Sequence, residues 1–575
     1  MADSSLLAGL TASPGITSGS AYLFKAADLS YDPCQYGGAE EEQSRLEDAF
    51  KKACEELDRI KTRLSGSLGE EYGHIFRAQM TVLEDEDFKD EIREKIALGD
   101  CRAETAIEEV YKVYSGLFAE MEGGSYNAQR LADLNDVCKR VLRNLLNLEE
   151  VTLAALPPES IVVAEELFPS DTAAMDRENI RGFATEKGGL TSHVAILAKS
   201  LSLPAAVGTP ALMTSIRKND LLFLDVRDYE KAKIYVNPDT EKRKELEEAR
   251  RTYLGRQEEL LTMKDLEPVT TDGHRITLSA NIGSVEDLVN AQGFGAKSVG
   301  LFRTEFLFLR GGLPGEEEQY QAYAEAALKL SGGMLVIRTL DIGGDKDVKA
   351  LALPKEENPF LGLRGIRLTL KYEELFRTQL KALLRASVHG DIRVMFPMIS
   401  SLREFRQARA LVESSSAELA ERGIAHKIPP LGVMVETPAA VFLADDLCKE
   451  VSFVSMGTND LTQYVLCVDR GNEEISSSYR PLSPAVLRAI GMTARAARKN
   501  GKWAGVCGEL GGNPMAIPVL IGLGVEELSV TASALPQAVS IIRNVSLDRC
   551  REVAEKAVSL STEEDVKEFL GLNVF

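Results

Sequence analysis

The sequence has no C-x-x-C pair, although it contains eight scattered cysteines. This absence argues against a zinc site or a disulfide framework and favours reduced thiols in the cytoplasm. No apolar run approaches the ~18 residues of a membrane-spanning helix, and residues 1–15 lack the basic segment of a secretory signal. The sequence therefore predicts a soluble cytoplasmic protein that does not enter a membrane.

Blocks of basic residues are also missing. The chain of 575 residues has 67 Lys and Arg against 88 Asp and Glu, a formal charge of −21. A chain this acidic is not expected to bind nucleic acid, whereas it is suited to attracting a basic protein partner. The hydrophobic share of 44% is ordinary for a globular protein, and the length predicts roughly three to four domains.

Histidine is scarce as well, since the chain has five, and only His193 follows a Gly-Gly turn into a predicted helix. It lies in residues 185–208, TEKGGLTSHVAILAKSLSLPAAVG. Thr191 and Ser192 are helix-start signals, which places His193 in the first turn, where free N–H groups and the helix dipole favour an anion. This setting suits an imidazole that carries a phosphoryl group. A helix-capping histidine without chemistry is the alternative.

Helical periodicity dominates the chain from about residue 39 to residue 147. Apolar residues recur there at three- and four-residue steps, which places an apolar stripe on each helix. The pattern predicts an antiparallel helical bundle, which is either a structural insert or a detached surface for docking. The stretches predicted to be helical are residues 46–64, 72–83, 107–121 and 131–145.

Short strands are predicted on both sides of this insert. Residues 155–238 alternate strands and helices in a compact α/β domain that contains the His193 helix. Residues 9–25 read as a turn followed by a strand, and residues 239–262 as a solvated, charge-dense helical linker. The strands predicted after the insert are residues 161–167, 182–185, 205–208, 221–226 and 232–236.

The C-terminal half of the chain repeats one strand–helix unit eight times. Most of the predicted strands are near-continuous apolar runs, as buried parallel strands require. Eight such units predict a (β/α)8 barrel, in which the chemistry lies at the C-terminal ends of the strands. The strands are predicted at residues 276–282, 298–304, 335–344, 392–399, 431–437, 453–458, 503–509 and 527–533.

Polar residues cluster at these predicted strand ends. Arginine recognises carboxylate and phosphate through paired hydrogen bonds, so four arginines indicate one small, highly anionic ligand, with structural ion pairs as the alternative. Glu436 and Asp460 offer hard oxygen ligands for Mg²⁺, or they pair with the arginines. Cys507 is either a thiol that protonates a carbon or inert core. The arginines are Arg303, Arg338, Arg364 and Arg470, and the other polar residues are Glu305, Asp341, Asn459 and Glu509.

Both halves of the chain resemble enzymes that use phosphoenolpyruvate. Residues 185–208 are similar to the phosphohistidine segment of Enzyme I of the sugar phosphotransferase system, pyruvate phosphate dikinase and phosphoenolpyruvate synthase. The C-terminal half resembles the phosphoenolpyruvate-binding barrel of Enzyme I, and the likeness covers nearly the whole chain in order. The segments that carry it are GLFRTEFLF, IRTLDIGGDK, ENPFLGLRGIR, VMFPMI, VMVETPAA, SMGTNDLTQYVLCVDRGNEEIS and GVCGELGG.

The resemblance to Enzyme I implies a multidomain α/β fold with a C-terminal (β/α)8 TIM-like barrel and an N-terminal α/β phosphohistidine domain that holds an inserted all-α bundle. His74, Arg77 and Arg130 fall in segments that match a docking face in the family. The implied divisions are a swivelling phosphohistidine domain of residues 1–35 and 148–238, a helical subdomain of residues 36–147 that docks the phosphocarrier protein HPr, a helical linker of residues 239–262, and a barrel of residues 263–575 that binds phosphoenolpyruvate and forms a homodimer.

The resemblance also implies a role for each candidate residue. His193 is the phosphorylated residue, and it passes the phosphoryl group of phosphoenolpyruvate to a histidine of HPr while pyruvate is released. The residue that matches Cys507 donates a proton to the enolate, and those that match Glu436 and Asp460 bind Mg²⁺. The residues that match phosphoenolpyruvate-binding positions are Arg303, Arg338, Asn459, Asp460 and Arg470, with Arg364 as a further ligand-binding candidate.

Two other functions stay open. A pyruvate dikinase or synthase needs a nucleotide-binding domain, for which no segment ahead of residue 155 is left. A catalytically silent signalling relative would not need the complete set of site residues found here. A sensory input domain like that of the nitrogen-related branch is absent, which favours the sugar branch. Four positions depart from the residues expected in the family, and none has a named catalytic role; they are Lys187, Leu190, Val194 and Ser483.

Overall fold

The computed structural model describes most of the chain between residues 5 and 573. The chain divides into two compact units, Met1–Gln257 and Glu258–Phe575. Among the described residues, no helix is both long and apolar enough to span a membrane. The described residues are 5–24, 29–32, 36–65, 79–80, 82–83, 85–99, 101–120, 124–148, 153, 156–167, 171, 175, 179–189, 193–201, 203–228, 231–308, 312–343, 351, 356–470, 472, 475 and 478–573.

A small closed barrel contains the described strands of the first unit. In chain order they are β1 (Ser5–Ser13), β2 (Gly15–Phe24), β3 (Ser160–Ala164), β4 (Ile180–Thr185), β5 (Ala205–Val207), β6 (Leu221–Val226) and β7 (Lys231–Val236). Their order around the barrel is β1-β5-β4-β3-β2-β6-β7. β2 pairs in parallel with β3 and antiparallel with β6, so the N-terminal segment joins strands that follow the helical insert. The strands predicted within residues 155–238 are confirmed.

The strand β1 covers residues where the sequence predicts a turn. Gly9 lies inside this strand. The position requires glycine because a Cβ there would come within 2.3 Å of the Thr209 hydroxyl oxygen. Pro14 stands between β1 and β2, where the pairing of β1 with β5 becomes irregular. The glycine therefore marks a close approach of two chain segments rather than a turn.

Four described helices form the insert between β2 and β3. The sequence predicts three of them but not α2, although Phe88, Ile92 and Ile96 form a buried stripe at four-residue steps. Phe88 packs edge-on against Phe50 and Tyr114, which joins α2 to its neighbours. The helices are α1 (Ala39–Ser65), α2 (Glu86–Gly99), α3 (Ala103–Glu120) and α4 (Gly124–Leu145).

The predicted docking residues of the insert are only partly covered by the structure. His74 and Arg77 lie outside the described residues, and so does the side chain of Arg130, a residue of α4. Of the helix predicted at residues 72–83, residues 79–80 and 82–83 are helical, and residues 72–78 and 81 lie outside the described part.

A closed ion-pair network stabilises the insert. Glu104, at the start of α3, is fully buried and accepts hydrogen bonds from Arg102 at 2.8 and 3.0 Å and from Arg45 at 2.5 Å. Arg45 also contacts Glu42 at 2.6 Å and donates to the Leu145 carbonyl oxygen at 3.2 Å. Burial alone would raise the pKa of Glu104, but the two arginines outweigh it and lower that pKa.

The predicted helix after the Gly-Gly turn is confirmed as α5 (His193–Leu201), between β4 and β5. Its apolar residues Val194, Ala195, Leu197 and Ala198 are buried, which fixes the helix against the small barrel. Two more helices complete the first unit and lead out of it, α6 (Leu212–Ser215) and α7 (Thr240–Thr262). The helix α7 is the predicted charge-dense linker, and most of its residues are exposed.

The second unit is an eight-stranded closed barrel in which every pairing between adjacent strands is parallel. All eight predicted strands are confirmed, and all but the first end earlier than predicted. They are β8 (Thr277–Ile282), β9 (Val299–Arg303), β10 (Met334–Arg338), β11 (Asp391–Phe396), β12 (Leu431–Val435), β13 (Phe453–Met456), β14 (Trp503–Val506) and β15 (Glu527–Val530). We call the end of the barrel at which these strands finish the mouth.

Helices cover the outside of this barrel, and their apolar faces form one large core with the strands. The fold is thus a (β/α)8 barrel joined to an α/β domain with a helical insert, as predicted. The helices of the second unit are α8 (Val285–Gly293), α9 (Glu305–Phe308), α10 (Glu316–Lys329), α11 (Ile366–Lys371), α12 (Glu373–Ala386), α13 (Leu402–Glu421), α14 (Pro438–Phe442), α15 (Ala444–Glu450), α16 (Thr458–Leu466), α17 (Pro484–Lys499), α18 (Ala516–Leu523), α19 (Leu535–Asn544), α20 (Leu547–Ser559) and α21 (Glu563–Asn573).

Side chains fill the inside of the large barrel. Phe453 and Trp503 stack with ring centroids 4.7 Å apart, and Leu301, Met395 and Met434 belong to the same interior cluster. Because the interior is packed, a ligand has room at the mouth rather than in a channel.

Candidate active site at the barrel mouth

The predicted site residues lie at or just beyond the C-terminal ends of the barrel strands. Parallel strands point in the same direction, so these positions meet at the mouth. Arg303 and Arg338 are the last residues of β9 and β10, Glu436 directly follows β12, Asn459 and Asp460 lie in the first turn of α16 after β13, and Cys507 directly follows β14. Arg364 and Arg470 lie in loops that follow β10 and α16.

Two of the four candidate arginines are buried in ion pairs. Arg338 contacts Glu305 at 2.6 Å and Asp341 at 2.9 Å. Arg364 contacts Asp341 through two hydrogen bonds of 3.2 Å, and Asp460 at 3.1 and 3.2 Å. Asp341 therefore bridges the two guanidinium groups. Both arginines thus form ion pairs within the protein, and this pairing fixes the orientation of each guanidinium plane.

Burial and charge oppose each other at these arginines. Burial alone would lower the pKa of both guanidinium groups, but the surrounding carboxylates raise it far above the usual value. Both therefore stay cationic. The Nε atom of Arg338 has no hydrogen-bond partner among the described residues, so this buried donor is available to an anionic ligand.

Glu436 differs from the other carboxylates of the mouth because it is fully buried and incompletely paired. Its Oε1 atom accepts a hydrogen bond of 2.6 Å from the Met398 backbone N–H, whereas Oε2 has no partner among the described residues. Burial, together with the charges of Asp460 and Asp341, raises the pKa of Glu436 to about 8, and Arg338 and Arg364 oppose this rise. Met398 itself has a positive φ of 56°, a strained conformation for a residue with a side chain.

These two carboxylates fit a divalent cation. The unpaired Oε2 of Glu436 and the neighbouring Asp460 offer hard oxygen ligands at a buried site. A cation bound there would offset the repulsion between carboxylates that raises the pKa of Glu436. Within the described part of the chain, no group of three or more His, Cys, Asp or Glu side chains is arranged to hold a metal. A metal bound by Glu436 and Asp460 therefore needs further oxygens from ligand and water.

The remaining candidates surround this cluster. Asn459 accepts a hydrogen bond of 3.0 Å from the Glu509 backbone N–H through its side-chain oxygen, and its carbonyl oxygen accepts one of 3.1 Å from Tyr479. Burial raises the pKa of Tyr479 to about 12, and Arg470 is near enough to oppose the shift. Arg303 is exposed at the end of its strand. The structure thus brings most of the predicted residues together and leaves Arg303 at the rim.

Cys507 lies inside the mouth, only 4% exposed, with its Sγ atom 3.6 Å from the Met456 carbonyl oxygen. Burial raises the pKa of this thiol to about 12, while the Ser455 hydroxyl lowers it and Glu527 adds to the rise. The thiol is therefore protonated near neutral pH, which suits a proton donor rather than a nucleophile. A packing role is equally compatible with its burial.

Two tyrosines of the site were not predicted. Tyr464 donates to the Phe360 carbonyl oxygen, and its hydroxyl lies 3.5 Å from Arg364. Its place four residues after Asp460 puts both on one face of α16, which is the one signal that could have identified it. Tyr479 offers no comparable pattern in the sequence.

The histidines separate into two groups. His274, His389 and His426 each lie in a segment that leads into a barrel strand, at the end opposite the mouth. His389 bonds Tyr320 and His426 bonds Ser416, both at 2.9 Å. None of these three is placed to attack a ligand at the mouth. His193 begins α5, as predicted, while its side chain and residues 190–192 lie outside the described part.

The positions that depart from the expected family residues have ordinary structural roles. Lys187 forms an exposed ion pair of 2.8 Å with Glu165. Val194 packs into the core of the small barrel, and Ser483 directly precedes α17. Leu190 lies outside the described residues.

Comparison with known proteins connects this architecture to a family. Three family models of PEP-utilising enzymes match in order, the N-terminal model over residues 8–130, the mobile-domain model over residues 156–228 and the PEP-binding-domain model over residues 257–547. The phosphoenolpyruvate-protein phosphotransferase of Listeria innocua is 42% identical over 98% of this chain and 98% of its own length. The chain belongs to this family. The resemblance of the sequence to this family is confirmed.

A second curated relative matches over nearly the same length. The phosphoenolpyruvate-protein phosphotransferase of Bacillus subtilis is 41% identical over 98% of this chain and 99% of its own. A solution structure of an Enzyme I protein is 31% identical, with a TM-score of 0.38, and covers 43% of this chain and 99% of its own. Like the relatives it matches, the chain is an enzyme. The match to the mobile-domain model contains His193, and the match to the PEP-binding domain contains every candidate residue of the mouth.

Proposed function

We propose that this enzyme transfers the phosphoryl group of phosphoenolpyruvate to His193 and then to a histidine of the phosphocarrier HPr, releasing pyruvate, as the first step of the sugar phosphotransferase system. The observation that carries the proposal is the buried set of cationic arginines, an incompletely paired carboxylate and a protonated thiol at one barrel mouth. This set matches a small ligand that carries a carboxylate, a phosphate and a carbon to be protonated. The family membership supports the same reaction.

The arginines bind and orient the substrate in this proposal. Arg338 and Arg364 are held by Asp341, so their donors are fixed before the ligand arrives, and Arg303, Asn459 and Arg470 complete the contacts to phosphate and carboxylate. Preorganised donors stabilise charge on a transferring phosphoryl group without reorganisation at the moment of reaction. His193 attacks phosphorus opposite the enolate oxygen that leaves. The P–N bond forms as the P–O bond to the enolate breaks.

Glu436 and Asp460 would hold Mg²⁺. When bound, the metal would neutralise charge on the phosphoryl oxygens. The unpaired Oε2 of Glu436 supports this part of the proposal, because an isolated buried carboxylate oxygen is costly unless a proton or a cation occupies it.

Cys507 protonates C3 of the enolate, which yields pyruvate. The raised pKa of the thiol supports this role, since the group still has its proton when the phosphoryl group departs. The transfer at phosphorus and the proton transfer at carbon thus use different residues.

The same proposal assigns a role to each part of the chain. Residues 1–35 and 148–238 form a swivelling phosphohistidine domain, and residues 36–147 dock HPr. Residues 239–262 link the phosphohistidine domain to residues 263–575, which bind phosphoenolpyruvate and form a homodimer in the cytoplasm. The His193 helix belongs to the unit Met1–Gln257 and the candidate site to the unit Glu258–Phe575, and this separation supports a carrier that visits two sites.

Label transfer tests the proposal. The enzyme is incubated with ³²P-labelled phosphoenolpyruvate and Mg²⁺, without nucleotide, and purified HPr is then added. We expect acid-labile, base-stable label on the enzyme and then on HPr, as a phosphoramidate requires. His193→Ala should abolish the label while phosphoenolpyruvate binding, measured by calorimetry, stays nearly unchanged.

His389→Ala is the matched control, because it removes a histidine at the opposite end of the barrel. Label retained by His193→Ala would contradict the assignment and direct attention to His74. A requirement for nucleotide would favour a dikinase or synthase, and phosphoenolpyruvate binding without any label would favour a catalytically silent relative.

A further inference from the structure

One buried acid of the large barrel has no part in the reaction described above. Glu527, the first residue of β15, is 2% exposed, and neither of its carboxyl oxygens makes a well-formed hydrogen bond to a described residue, although the Ser279 hydroxyl is close enough to lower its pKa. An unpaired carboxylate at such a place would be strongly unfavourable, so the group is held in its protonated form. Consistent with this, burial raises the pKa of Glu527 to about 8, while Ser279 and Arg393 oppose the rise.

Two glycines make room for this carboxyl group. A Cβ at Gly300 would lie 2.0 Å from its Oε1 atom, and a Cβ at Gly505 would lie 2.2 Å from its Oε2 atom. Any larger residue at either position would displace the acid. The Glu527 side chain therefore extends across the inside of the barrel, over β14, instead of packing beside its own strand.

The strand register places a hydroxyl next to this acid. Ser455 of β13 pairs with Gly505 of β14, and Gly505 pairs with Glu527 of β15, so the three residues form one row. Gly505 places no side chain of its own between Glu527 and Ser455, and the space over it is shared by the Glu527 carboxyl and the edge of the Trp503 ring. The Ser455 hydroxyl has no hydrogen-bond partner among the described residues.

The next interior position toward the mouth is Cys507. It is two residues beyond Gly505 on the same face, about 6.6 Å along the strand. The Ser455 hydroxyl is near enough to lower the pKa of its thiol, and the Glu527 charge is near enough to raise it. Glu527, Ser455 and Cys507 thus lie in succession from the interior toward the mouth.

We propose that Glu527 is the internal acid that returns a proton to Cys507 after each turnover. The inference rests on the proposed role of Cys507. When the Cys507 S–H bond breaks, the proton goes to C3 of the enolate and the electron pair stays on sulfur. The Glu527 O–H bond then breaks, and its proton reaches sulfur through the Ser455 hydroxyl, which accepts one proton and donates its own.

Solvent water supplies the proton that restores Glu527 before the next cycle. The charged and titratable groups that face this path are Arg393 from β11, Cys507 from the mouth end of β14, and Arg338 and Glu436 beyond it. An internal donor is needed because pyruvate still fills the mouth when the thiolate forms, and a thiolate buried at that depth is unstable without a nearby acid.

The test compares the first turnover with later ones in the full-length enzyme. Rapid-quench measurement with enzyme in excess over phosphoenolpyruvate gives the first-turnover rate of pyruvate formation, and substrate in excess with HPr gives the steady state. In Glu527→Gln, Cys507 starts with its proton, so we expect a first turnover within about twofold of wild type. The steady-state rate should fall at least about tenfold, within the range for a positioned acid.

Three further variants make the result specific. Ser455→Ala removes the intervening hydroxyl with little change in volume and should give the same split between first and later turnovers, whether or not Glu527→Gln folds. Glu527→Asp keeps an acid and should retain more of the steady-state rate than Glu527→Gln. Glu563→Gln is the matched control, because that buried carboxyl accepts a 2.9 Å hydrogen bond from the Leu482 N–H far from the path and should show no split.

Equal losses in both phases would overturn the proposal and assign Glu527 to packing, and so would an unchanged steady state in folded Glu527→Gln and Ser455→Ala. Failure of the underlying function looks different. If Cys507→Ser keeps a normal first turnover, then Cys507 is not the acid of the reaction, whatever Glu527 does.

Discussion

The helical insert and the barrel mouth both bury a carboxylate between two arginines, yet the two clusters differ in one respect. In the insert, Glu104 uses both of its oxygens on Arg45 and Arg102. At the mouth, Asp341 pairs with Arg338 and Arg364 in the same way, but Glu436 beside them keeps an oxygen without a partner among the described residues.

The difference separates a structural network from a site. A saturated network lowers the pKa of its carboxylate and has no capacity left for a ligand. An unsaturated one has a raised pKa, an orphaned acceptor and, nearby, a strained backbone at Met398, all of which cost folding free energy. Such costs are typical of places where a ligand or a cation completes the structure.

Removing an arginine from each cluster should give the largest contrast. Arg364→Met should lower the rate of self-phosphorylation at least about 10³-fold, since the transferring phosphoryl group loses a fixed cation. The substitution also removes the positive charge that offsets Asp341, Asp460 and Glu436, which should lower the free energy of unfolding by about 3–5 kcal/mol. Arg45→Met is the matched change in the insert and should cost stability only. The rate of labelling measures the effect on activity, and urea unfolding measures the effect on stability. Comparable losses of rate in Arg364→Met and Arg45→Met would contradict the distinction between the two clusters.

Neutralising the unsaturated carboxylate should have the next largest effect. Glu436→Gln should slow self-phosphorylation by about 10²–10³-fold and abolish its dependence on Mg²⁺ concentration, because one metal ligand is lost. Stability should be retained, since glutamine resembles the protonated acid. Titration of the rate with Mg²⁺ checks this, with Glu563→Gln as the control. An unchanged Mg²⁺ dependence would move the metal site elsewhere.

The corresponding change in the saturated cluster should affect folding alone. Glu104→Gln replaces charged hydrogen bonds to two arginines and should lower the free energy of unfolding by about 1.5–3 kcal/mol. Binding of phosphoenolpyruvate to the barrel, followed by calorimetry, should not change. A loss of binding in this variant would show that the insert contributes to the site.

The pH dependence of stability should have opposite signs in the two clusters. The raised pKa of Glu436 means that the folded state holds a proton the unfolded state has released between pH ~4.5 and ~8, so its contribution to stability falls as pH rises through that window. Glu104 has a lowered pKa, and its contribution is present above pH ~4.5 and is lost in acid. Melting temperatures of wild type and each glutamine variant, taken in chelator from pH 4 to 8, measure the two trends. If Glu436→Gln and Glu104→Gln changed the pH dependence of the melting temperature in the same direction, the distinction between the two clusters would be contradicted.

The sequence predicts the barrel well because buried parallel strands are nearly continuous apolar runs, and it places polar residues at their ends. That pattern alone places Arg338, Glu436, Asp460 and Cys507 at the mouth, whereas their roles are implied only by the resemblance to Enzyme I. It does not reveal that Asp341 bridges two arginines, that Met398 donates to Glu436 from a strained conformation, or that Glu527 is unpaired. Those facts depend on distances between strands, which periodicity does not encode. The helix α2 has an apolar stripe that the sequence could have revealed, but the many charged residues between its members make the pattern difficult to detect.

The discontinuity of the small barrel has a consequence for synthesis on the ribosome. The strand β2 emerges long before its partners β3 and β6, so it must wait while the insert is made. The hydrogen bond from Arg45 to the Leu145 carbonyl oxygen joins the beginning of the insert to its end. Once the bundle has folded, it therefore acts as a short loop, which reduces the entropy lost when β2 meets β3. Assembly of the domain that contains His193 thus depends on the prior folding of helices that contribute no strand to it.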